Sequence, residues 1–279
     1  SPGYIASKEP TVFYLVIIGL LSAFFSAVIS FVVTTSLQTD IYNGAILFFS
    51  IIFAAVYVSG RILAAQEKRR QEYYYVRHRF ANDNAMTFRM QDQGSHDEGL
   101  LFSAGDTKMS TRTEVFRSAS GMFEMGNYSV VKTVNSRYAV SIWGYCKITL
   151  ERSVPQIFLD SKKNDRSMYE GDGSFPIDFP KDQKVELEGD FSSHFTVYAP
   201  RGYDSDVRYI LTPDLMATLL DESEGYDVEI TGNTLFFYRP KAFDFSSKDD
   251  RASIERLVSS VGAKAHQRTE RYSATADAP

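Results

Sequence analysis

The sequence predicts an α+β membrane protein with an N-terminal transmembrane helical hairpin and a mainly antiparallel β domain. Two long apolar runs near the start predict the hairpin. Period-two alternation after residue 129 predicts the strands, and two amphipathic runs predict a short embedded helix and a C-terminal helix. The expected divisions are an N-terminal segment 1–10, the hairpin 11–60, a basic helix 61–85, the α+β domain 86–262 and a disordered tail 263–279.

The two apolar runs, 11–34 and 41–60, contain no charged residue. About 20 residues of helix cross the hydrocarbon core of a bilayer, and a helix satisfies its own backbone polar groups in lipid. We therefore predict two transmembrane helices. A signal peptide would have a shorter apolar stretch of about 7–15 residues. The other alternative is two buried core helices of a soluble protein, and the uninterrupted hydrophobicity of both runs argues against it, because a surface helix shows one polar face.

Small residues recur in both runs at a spacing of four, which lets helices approach closely in lipid. We expect them to pack the hairpin on itself or, as the alternative, to mediate oligomerisation. These residues are Gly19, Ser22, Ala23, Ser26, Ala27, Ser30, Ser50 and Ala54. The lack of charge within the runs argues against a transporter or channel that works alone.

Basic residues follow the second run closely, whereas the loop 36–40 between the runs has no Lys or Arg. Positive charge near the ends of spans stays in the cytoplasm. The sequence therefore predicts a multi-pass protein of the bacterial inner membrane with both termini cytoplasmic. Arg61, Lys68, Arg69 and Arg70 are candidates for contact with anionic lipids, with a plain stop-transfer flank as the alternative.

Composition and motifs limit the chemistry of the soluble part. The net charge of −5 argues against a nucleic-acid partner. A single cysteine, Cys146, excludes an internal disulfide framework, and we expect it in the core because nothing in the sequence would activate the thiol. The sequence has no P-loop, HExxH, paired CxxC or nucleophile elbow. We therefore predict no cofactor, metal or catalytic residue.

The clearest strand is 137–150, with Gly144 as a bend or bulge, and a linker is expected before it at 81–106. Trp143 and Tyr145 fall on the more polar face of that strand, which we expect to be partly covered. The apolar face, expected in the core, consists of Tyr138, Val140, Ile142, Cys146, Ile148 and Leu150.

Further strands are expected at 156–159, 184–188, 195–198 and 207–211. The segments 226–230 and 234–238 flank Gly232 and Asn233, which predicts a tight hairpin.

Two helices complete the predicted domain. Thr212 and Pro213 predict the start of the embedded helix, as N-cap and first-turn residue. The last helix is predicted from Ser247 to Gly262.

Eight carboxylates lie between Arg201 and Ile230, a segment whose basic residues are Arg201 and Arg208. If the fold brings their loops together, they form one negative patch for a basic protein partner, with a solvated face as the alternative. They are Asp204, Asp206, Asp214, Asp221, Glu222, Glu224, Asp227 and Glu229. The partner-binding hypothesis centres on Asp204, Asp206, Asp221, Glu222 and Glu224.

The stretches FSSHFTVYAP, YILTPDLMATLLDES and YDVEITGNTLFFY, between Phe191 and Tyr238, are similar to a region of uncharacterised bacterial membrane proteins. Those proteins also place this region after two N-terminal transmembrane helices. The resemblance implies a cytoplasmic domain of unknown function and supplies no catalytic residue. The matching positions are Phe191, Phe195, Tyr198, Tyr209, Leu211, Thr212, Pro213, Met216, Leu220, Asp227, Ile230 and Phe237.

The function predicted is that of an adaptor or assembly component at the cytoplasmic face of an inner-membrane complex. Its partners would be membrane lipids and other membrane or cytoplasmic proteins, with self-association as a further option. One alternative is a membrane-tethered enzyme built on scattered carboxylates and His194. Another is a ligand-binding module similar to pleckstrin-homology-like domains.

Overall fold

The structure is a computed structural model. It describes residues 41–92, 99–106, 108–134, 136–164, 175–187 and 189–272, with scattered residues of 21–35. The chain divides into two compact units, Ser1–Val76 and Arg77–Pro279.

One helix, α1, runs over Ile41–Asp83. Of the helices in the described residues, it alone is long and apolar enough to cross a membrane, and its most apolar part is not buried. The described residues of the run 11–34 are helical and exposed, and the rest of that run lies outside the described residues. The second predicted span therefore has its helix, whereas the pairing of two spans stays a prediction.

The second unit is built on a seven-stranded antiparallel sheet. Its strands are β1 (Met86–Asp92), β2 (Thr111–Ser118), β3 (Phe123–Val134), β4 (Arg137–Ser161), β5 (Lys184–Val185), β6 (Phe195–Tyr198) and β7 (Asp227–Arg239). The order across the sheet is β1-β2-β3-β4-β6-β5, and β7 also pairs with β4. β1 lies inside the predicted linker 81–106, so that prediction is wrong.

The helices of this unit are mostly short. They are α2 (Leu100–Ser103), α3 (Phe191–His194), α4 (Asp204–Ile210), α5 (Pro213–Glu222), α6 (Lys248–Arg256) and α7 (Ala263–Glu270). A π-helical turn over Leu257–Gly262 joins α6 to α7, and we call these three pieces the C-terminal helix. The Ser247 side chain caps it by accepting a hydrogen bond from the Asp250 amide, as its predicted start requires.

The C-terminal helix does not end at Gly262, so the predicted disordered tail is wrong for residues 263–270. A Cβ at position 262 would lie 2.7 Å from the Ile148 Cδ1 atom. Gly262 therefore allows close packing of helix on sheet, and its role is not that of a helix stop.

The main core lies between one face of the sheet and the helices α4, α5 and the C-terminal helix. Its members include Cys146, Ile148, Leu150, Val207, Ile210, Leu215, Leu219, Leu257 and Val261. Cys146 is fully buried there, which confirms its prediction as a core residue. Burial raises the pKa of its thiol, because the thiolate would lose its hydration.

A second, aromatic core covers the opposite face of the sheet, beneath α2 and the segment 175–179. It contains Phe102, Tyr128, Trp143, Tyr145, Phe158, Phe175, Phe236 and Tyr238. Trp143 and Tyr145 are 3% and 0% exposed, whereas Arg137 and Ser141 on the same face are exposed, so this face is partly covered, as predicted. The prediction that the more apolar face lies in the core is confirmed for Cys146, Ile148 and Leu150, and the second core on the opposite face was not predicted.

Glu229 is fully buried beside the aromatic core and accepts three hydrogen bonds. Its donors are the Leu100 amide at 2.8 Å, the Gln156 side chain at 3.0 Å and the Tyr238 hydroxyl at 2.8 Å. Loss of hydration raises its pKa, and these donors offset part of that rise. Glu229 thereby ties the start of α2 to the sheet.

Two predicted elements differ in kind from those observed. Residues 207–211 were predicted as a strand, yet Val207 and Ile210 are buried one helical turn apart on α4. Residues 226–238 were predicted as a hairpin, yet β7 continues through Gly232, which has a φ of 54° and lies opposite Val154 at a register shift. The glycine thus serves a bulge, because β4 is long enough to pair with the whole of β7.

We expect the thiol of Cys146 to react with alkylating reagents only when the protein unfolds, because its side chain is 0% exposed in the fold. Cys146→Ala should lower the free energy of unfolding by about 1 kcal/mol, the scale of one buried methylene-sized group. Alkylation kinetics of the full chain in mild detergent, with and without denaturant, measure this. Rapid reaction of the native protein would contradict the buried placement.

Glu229→Gln should change how stability depends on pH. The folded protein holds the Glu229 proton more tightly than the unfolded chain, because its pKa is raised. The unfolding free energy of wild type, minus that of Glu229→Gln, should therefore fall as pH rises from the ordinary Glu range through the raised pKa. Denaturant titrations across pH test this, with the exposed Glu255→Gln as control. A difference that is flat or rises with pH would contradict it.

Candidate functional site

The eight carboxylates between Arg201 and Ile230 do not form one exposed patch. Asp206, Asp227 and Glu229 are 4%, 0% and 0% exposed. Asp206 accepts a hydrogen bond from the Tyr272 hydroxyl at 2.7 Å, which ties α4 to the end of the C-terminal helix. The prediction that Asp206 faces a partner is therefore wrong, and Asp227 and Glu229 do not contribute to a negative patch, because all three are buried.

Three further carboxylates are engaged in ion pairs. Asp214 pairs with Lys264 at 2.6 Å, and Glu222 pairs with Arg256 at 3.2 Å. Glu224 accepts a hydrogen bond from Lys163 at 2.6 Å, which lowers its pKa. Asp204 and Asp221 are exposed, on α4 and α5. The partner-binding hypothesis for Asp204, Asp221, Glu222 and Glu224 stays a prediction. The charges of Glu222 and Glu224 are partly neutralised by their ion pairs.

His194 lies on the surface. Its side chain is 42% exposed, and its Nδ1 atom is 3.7 Å from Oε1 of Glu224, whose other carboxylate oxygen pairs with Lys163. Such surface pairs are screened by water and do not provide a buried general base. In the described residues no group of three His, Cys, Asp or Glu side chains is placed to hold a metal ion.

The basic residues after the second apolar run are exposed on α1. They are Arg61, Lys68, Arg69 and Arg70. Arg70 pairs with Glu67 at 3.0 Å within the helix. Contact with anionic lipids stays a prediction.

The small residues predicted to pack the spans fall mostly outside what is described. Ala27, Ser50 and Ala54 are described and exposed on helices. Gly19, Ser22, Ala23, Ser26 and Ser30 lie outside the described residues. Their role in packing stays a prediction.

The most exposed apolar part of the second unit is the start of β4. Tyr138, Val140 and Ile142 are 68%, 60% and 48% exposed, although they were predicted in the core. Their side chains lie on the same face as Cys146 and Ile148, which the C-terminal helix covers. The alternating pattern was read correctly, but the helix covers only the later half of the face.

This part of β4 is also an edge of the sheet. Along 137–143, β4 pairs with β3, while its pairing with β7 on the other side begins only at Gly144. The Gly144 amide donates to the Lys241 carbonyl, so the backbone groups of alternate residues Tyr138, Val140 and Ile142 also point away from β3. No strand in the described residues pairs with them. We call the segment 137–143 the β4 edge.

Two local features hold the β4 edge in place. At its start, Val134 pairs with Arg137 across a two-residue turn, in which Ser136 has a φ of 61°. At its end, Trp143 is packed against Phe175, with ring centroids 5.7 Å apart. The edge is therefore a defined strand and is anchored at both ends.

Two clefts open between α5 and the C-terminal helix. One, of about 180 Å³, has Thr212, Asp214 and Leu215 on one wall and Lys264, Arg268 and Arg271 on the other. The other, of about 420 Å³, lies beside the π-helical turn. Sequence reasoning missed both, because helix 263–270 was not predicted.

Comparison with known proteins adds little. No family model matches the sequence, and no curated protein matches it. Among solved structures, the mycobacterial trehalose monomycolate transport factor A, TtfA, is similar with a TM-score of 0.40 and 9% sequence identity. The match covers 66% of this chain and 90% of that chain. A likeness this weak carries no information about function.

Proposed function

We propose that this chain is a membrane-anchored adaptor of a bacterial inner-membrane complex. In this proposal two N-terminal helices hold it in the membrane, and the α+β domain at the cytoplasmic face binds an extended segment of a partner protein. The β4 edge is the observation that carries the proposal. The layout is that of the uncharacterised two-span membrane proteins that the sequence resembles.

An open strand edge favours pairing with another strand, because it presents a row of unpaired N–H and C=O groups. Proteins usually protect such edges with charge, proline or a bulge. Residues 138–143, YAVSIW, contain no charged residue, proline or glycine. About 20 Å of strand is thereby available at roughly 3.3 Å per residue. Strand addition would satisfy these backbone groups, and alternate side chains would give specificity.

Charge favours a foreign strand over a second copy of this chain. The β4 edge begins at Arg137, and Lys241 lies beside its other end, where its carbonyl meets the Gly144 amide. If two copies paired antiparallel about Val140, Arg137 of each would approach Lys241 of the other. Like charges placed together are unfavourable. The proposed partner segment is therefore extended and apolar, with acidic residues at its ends.

The proposed topology can be tested by labelling in intact cells. A cysteine placed at Gln38, between the runs, should react with an impermeant thiol reagent, because this loop would be outside. A cysteine at Ala276 should not react, and the buried Cys146 gives a silent background. Labelling at Ala276 but not at Gln38 would reverse the topology and remove the cytoplasmic placement.

The β4 edge can be tested by site-specific photocrosslinking from position 142 in cells. The crosslinked peptide should be an extended apolar segment of another protein with acidic flanks. Val140→Lys should weaken this capture about tenfold or more, because it places a charge in the apolar stripe, while stability changes by about 0.5 kcal/mol or less as for an exposed site.

Thr133→Lys is the matched control. Thr133 is exposed on β3 directly opposite Tyr138, so it adds the same charge beside the edge without altering it. Capture should survive this change. A crosslink from position 142 to the same segment of a second copy would show that the β4 edge mediates self-association and does not bind another protein. Equal loss in both variants would contradict a role for the β4 edge.

A further inference from the structure

The smaller cleft, of about 180 Å³, is lined by three cationic side chains. Lys264, Arg268 and Arg271 all come from α7 and the residue after it, and Asp214 is the acidic residue of the lining. With one carboxylate against three cations, the cleft carries a net positive charge. This contrasts with the chain as a whole, whose net charge is −5.

Arg268 is held in place before any ligand arrives. Its Nε atom donates to the Tyr209 carbonyl at 2.6 Å, and its guanidinium lies 4.1 Å from the centroid of the Tyr209 ring. The Tyr209 hydroxyl in turn donates to the Arg271 carbonyl at 3.2 Å. No partner for the two terminal nitrogens of Arg268 is found in the described residues. A fixed guanidinium loses little entropy when it binds an oxyanion.

The opposite wall of the cleft is the start of α5. Thr212 is the N-cap residue of this ten-residue helix, but its side chain makes no capping hydrogen bond. The hydroxyl of Thr212 and the first-turn amides of Asp214 and Leu215 are therefore available on this wall. Hydroxyl and amide donors complement the three cations across the cleft.

The carboxylate of Asp214 is itself an oxyanion bound to a cation of this cleft. Its carboxylate contacts the Lys264 ammonium at 2.6 Å, although the Asp214 side chain is 76% exposed. An incoming anion would compete with this carboxylate for Lys264. Removal of the Asp214 charge should therefore favour the ligand.

We propose that this cleft binds an oxyanion of the phosphate class. Arg268 and Arg271 supply charge-assisted hydrogen bonds from one wall, and Thr212 with the first turn of α5 supplies neutral donors from the other. Lys264 is shared between the ligand and Asp214. The inference stands apart from the proposed adaptor function, because it uses none of the residues of the β4 edge.

The larger cleft indicates what the rest of such a ligand looks like. It shares Lys264 and Gln267 with the smaller cleft. The rest of its lining includes Thr218, Asp221, Glu222, Ser259 and Ser260. Ser259 and Ser260 belong to the π-helical turn, a distortion that is frequent at functional sites. Hydroxyl and carboxylate groups in the lining favour a ligand whose remaining part carries hydroxyl groups over one whose remaining part is apolar.

Calorimetric titration of the full chain in neutral detergent tests this proposal. The probes are inorganic phosphate, glycerol 3-phosphate, and phosphatidic acid in mixed micelles. Arg271→Gln should weaken binding about tenfold, the loss of one charge-assisted hydrogen bond, and its exposed side chain makes the variant safe for folding. Arg268→Lys should weaken binding too, because lysine keeps the positive charge but lacks the paired N–H donors of the guanidinium group. Asp214→Asn should tighten binding severalfold.

Arg89→Gln is the matched control, an exposed arginine on β1 far from the cleft in sequence, with the same loss of charge. It should bind all probes as wild type does. The source of the phosphate follows from the probes: phosphatidic acid bound far more tightly than glycerol 3-phosphate indicates a lipid headgroup, and similar affinities indicate a soluble phosphate compound.

Two results would overturn the proposal. One is failure of all three probes to bind wild type. The other is equal weakening by Arg89→Gln and Arg271→Gln, which would mean that the probes are attracted to positive charge anywhere on the protein and not to this cleft. If Arg268→Lys does not fold, the opposite effects expected for Arg271→Gln and Asp214→Asn still decide the question.

Discussion

The domain depends on the backbone pairing of one strand. β4 is 25 residues long and is hydrogen-bonded to β3, β6 and β7 at different points along its length. Its side chains alternate between the two cores, with Cys146 and Ile148 in the main core and Tyr145 and Phe158 in the aromatic core. Because both cores need β4 in one register, a slip by a single residue would exchange them. β7 also reaches both cores, with Leu235 and Phe237 in the main core and Phe236 and Tyr238 in the aromatic core, and its register is set by its pairing with β4.

How far the sequence predicts this fold varies between elements. Period-two alternation found residues 137–150 of β4, but 156–159 was predicted as a separate strand and is the continuation of β4. Capping chemistry found the starts of α5 and the C-terminal helix. Local patterns could not show that β7 runs through Gly232, because the length of its partner β4 decides that. The same holds for residues 207–211, where burial against α7 and the sheet favours a helix over a strand.

The candidate sites were harder to predict, because they depend on which surfaces other elements cover. The apolar residues at 138–142 have the sequence pattern of a core strand, but the C-terminal helix does not cover this part of the face. A run of acids looks like one patch until Asp206, Asp227 and Glu229 are seen to turn inward. The cationic cleft needs α7, which local signals hid because Gly262 resembles a helix stop.

The three buried acidic residues connect elements of the fold through hydrogen bonds. Asp206 joins α4 to Tyr272, and Glu229 joins α2 to the sheet. Asp227 accepts hydrogen bonds from the Ser161 amide and the Asn164 side chain, near the end of β4. Short helices and chain ends lack many neighbours, so buried polar contacts of this kind position them more sharply than apolar packing does.

Gly144 has a consequence for the evolution of the β4 edge. A Cβ there would lie 2.6 Å from the Phe243 ring and 3.0 Å from the Lys241 carbonyl oxygen, so the chain leaving β7 can cross β4 only over a glycine. This crossing ends the β4–β7 ladder at one fixed residue. The length of open strand is thereby kept constant while the exposed side chains of the edge are free to vary. Substitutions of these exposed side chains, one at a time, therefore leave the length and register of the open strand unchanged.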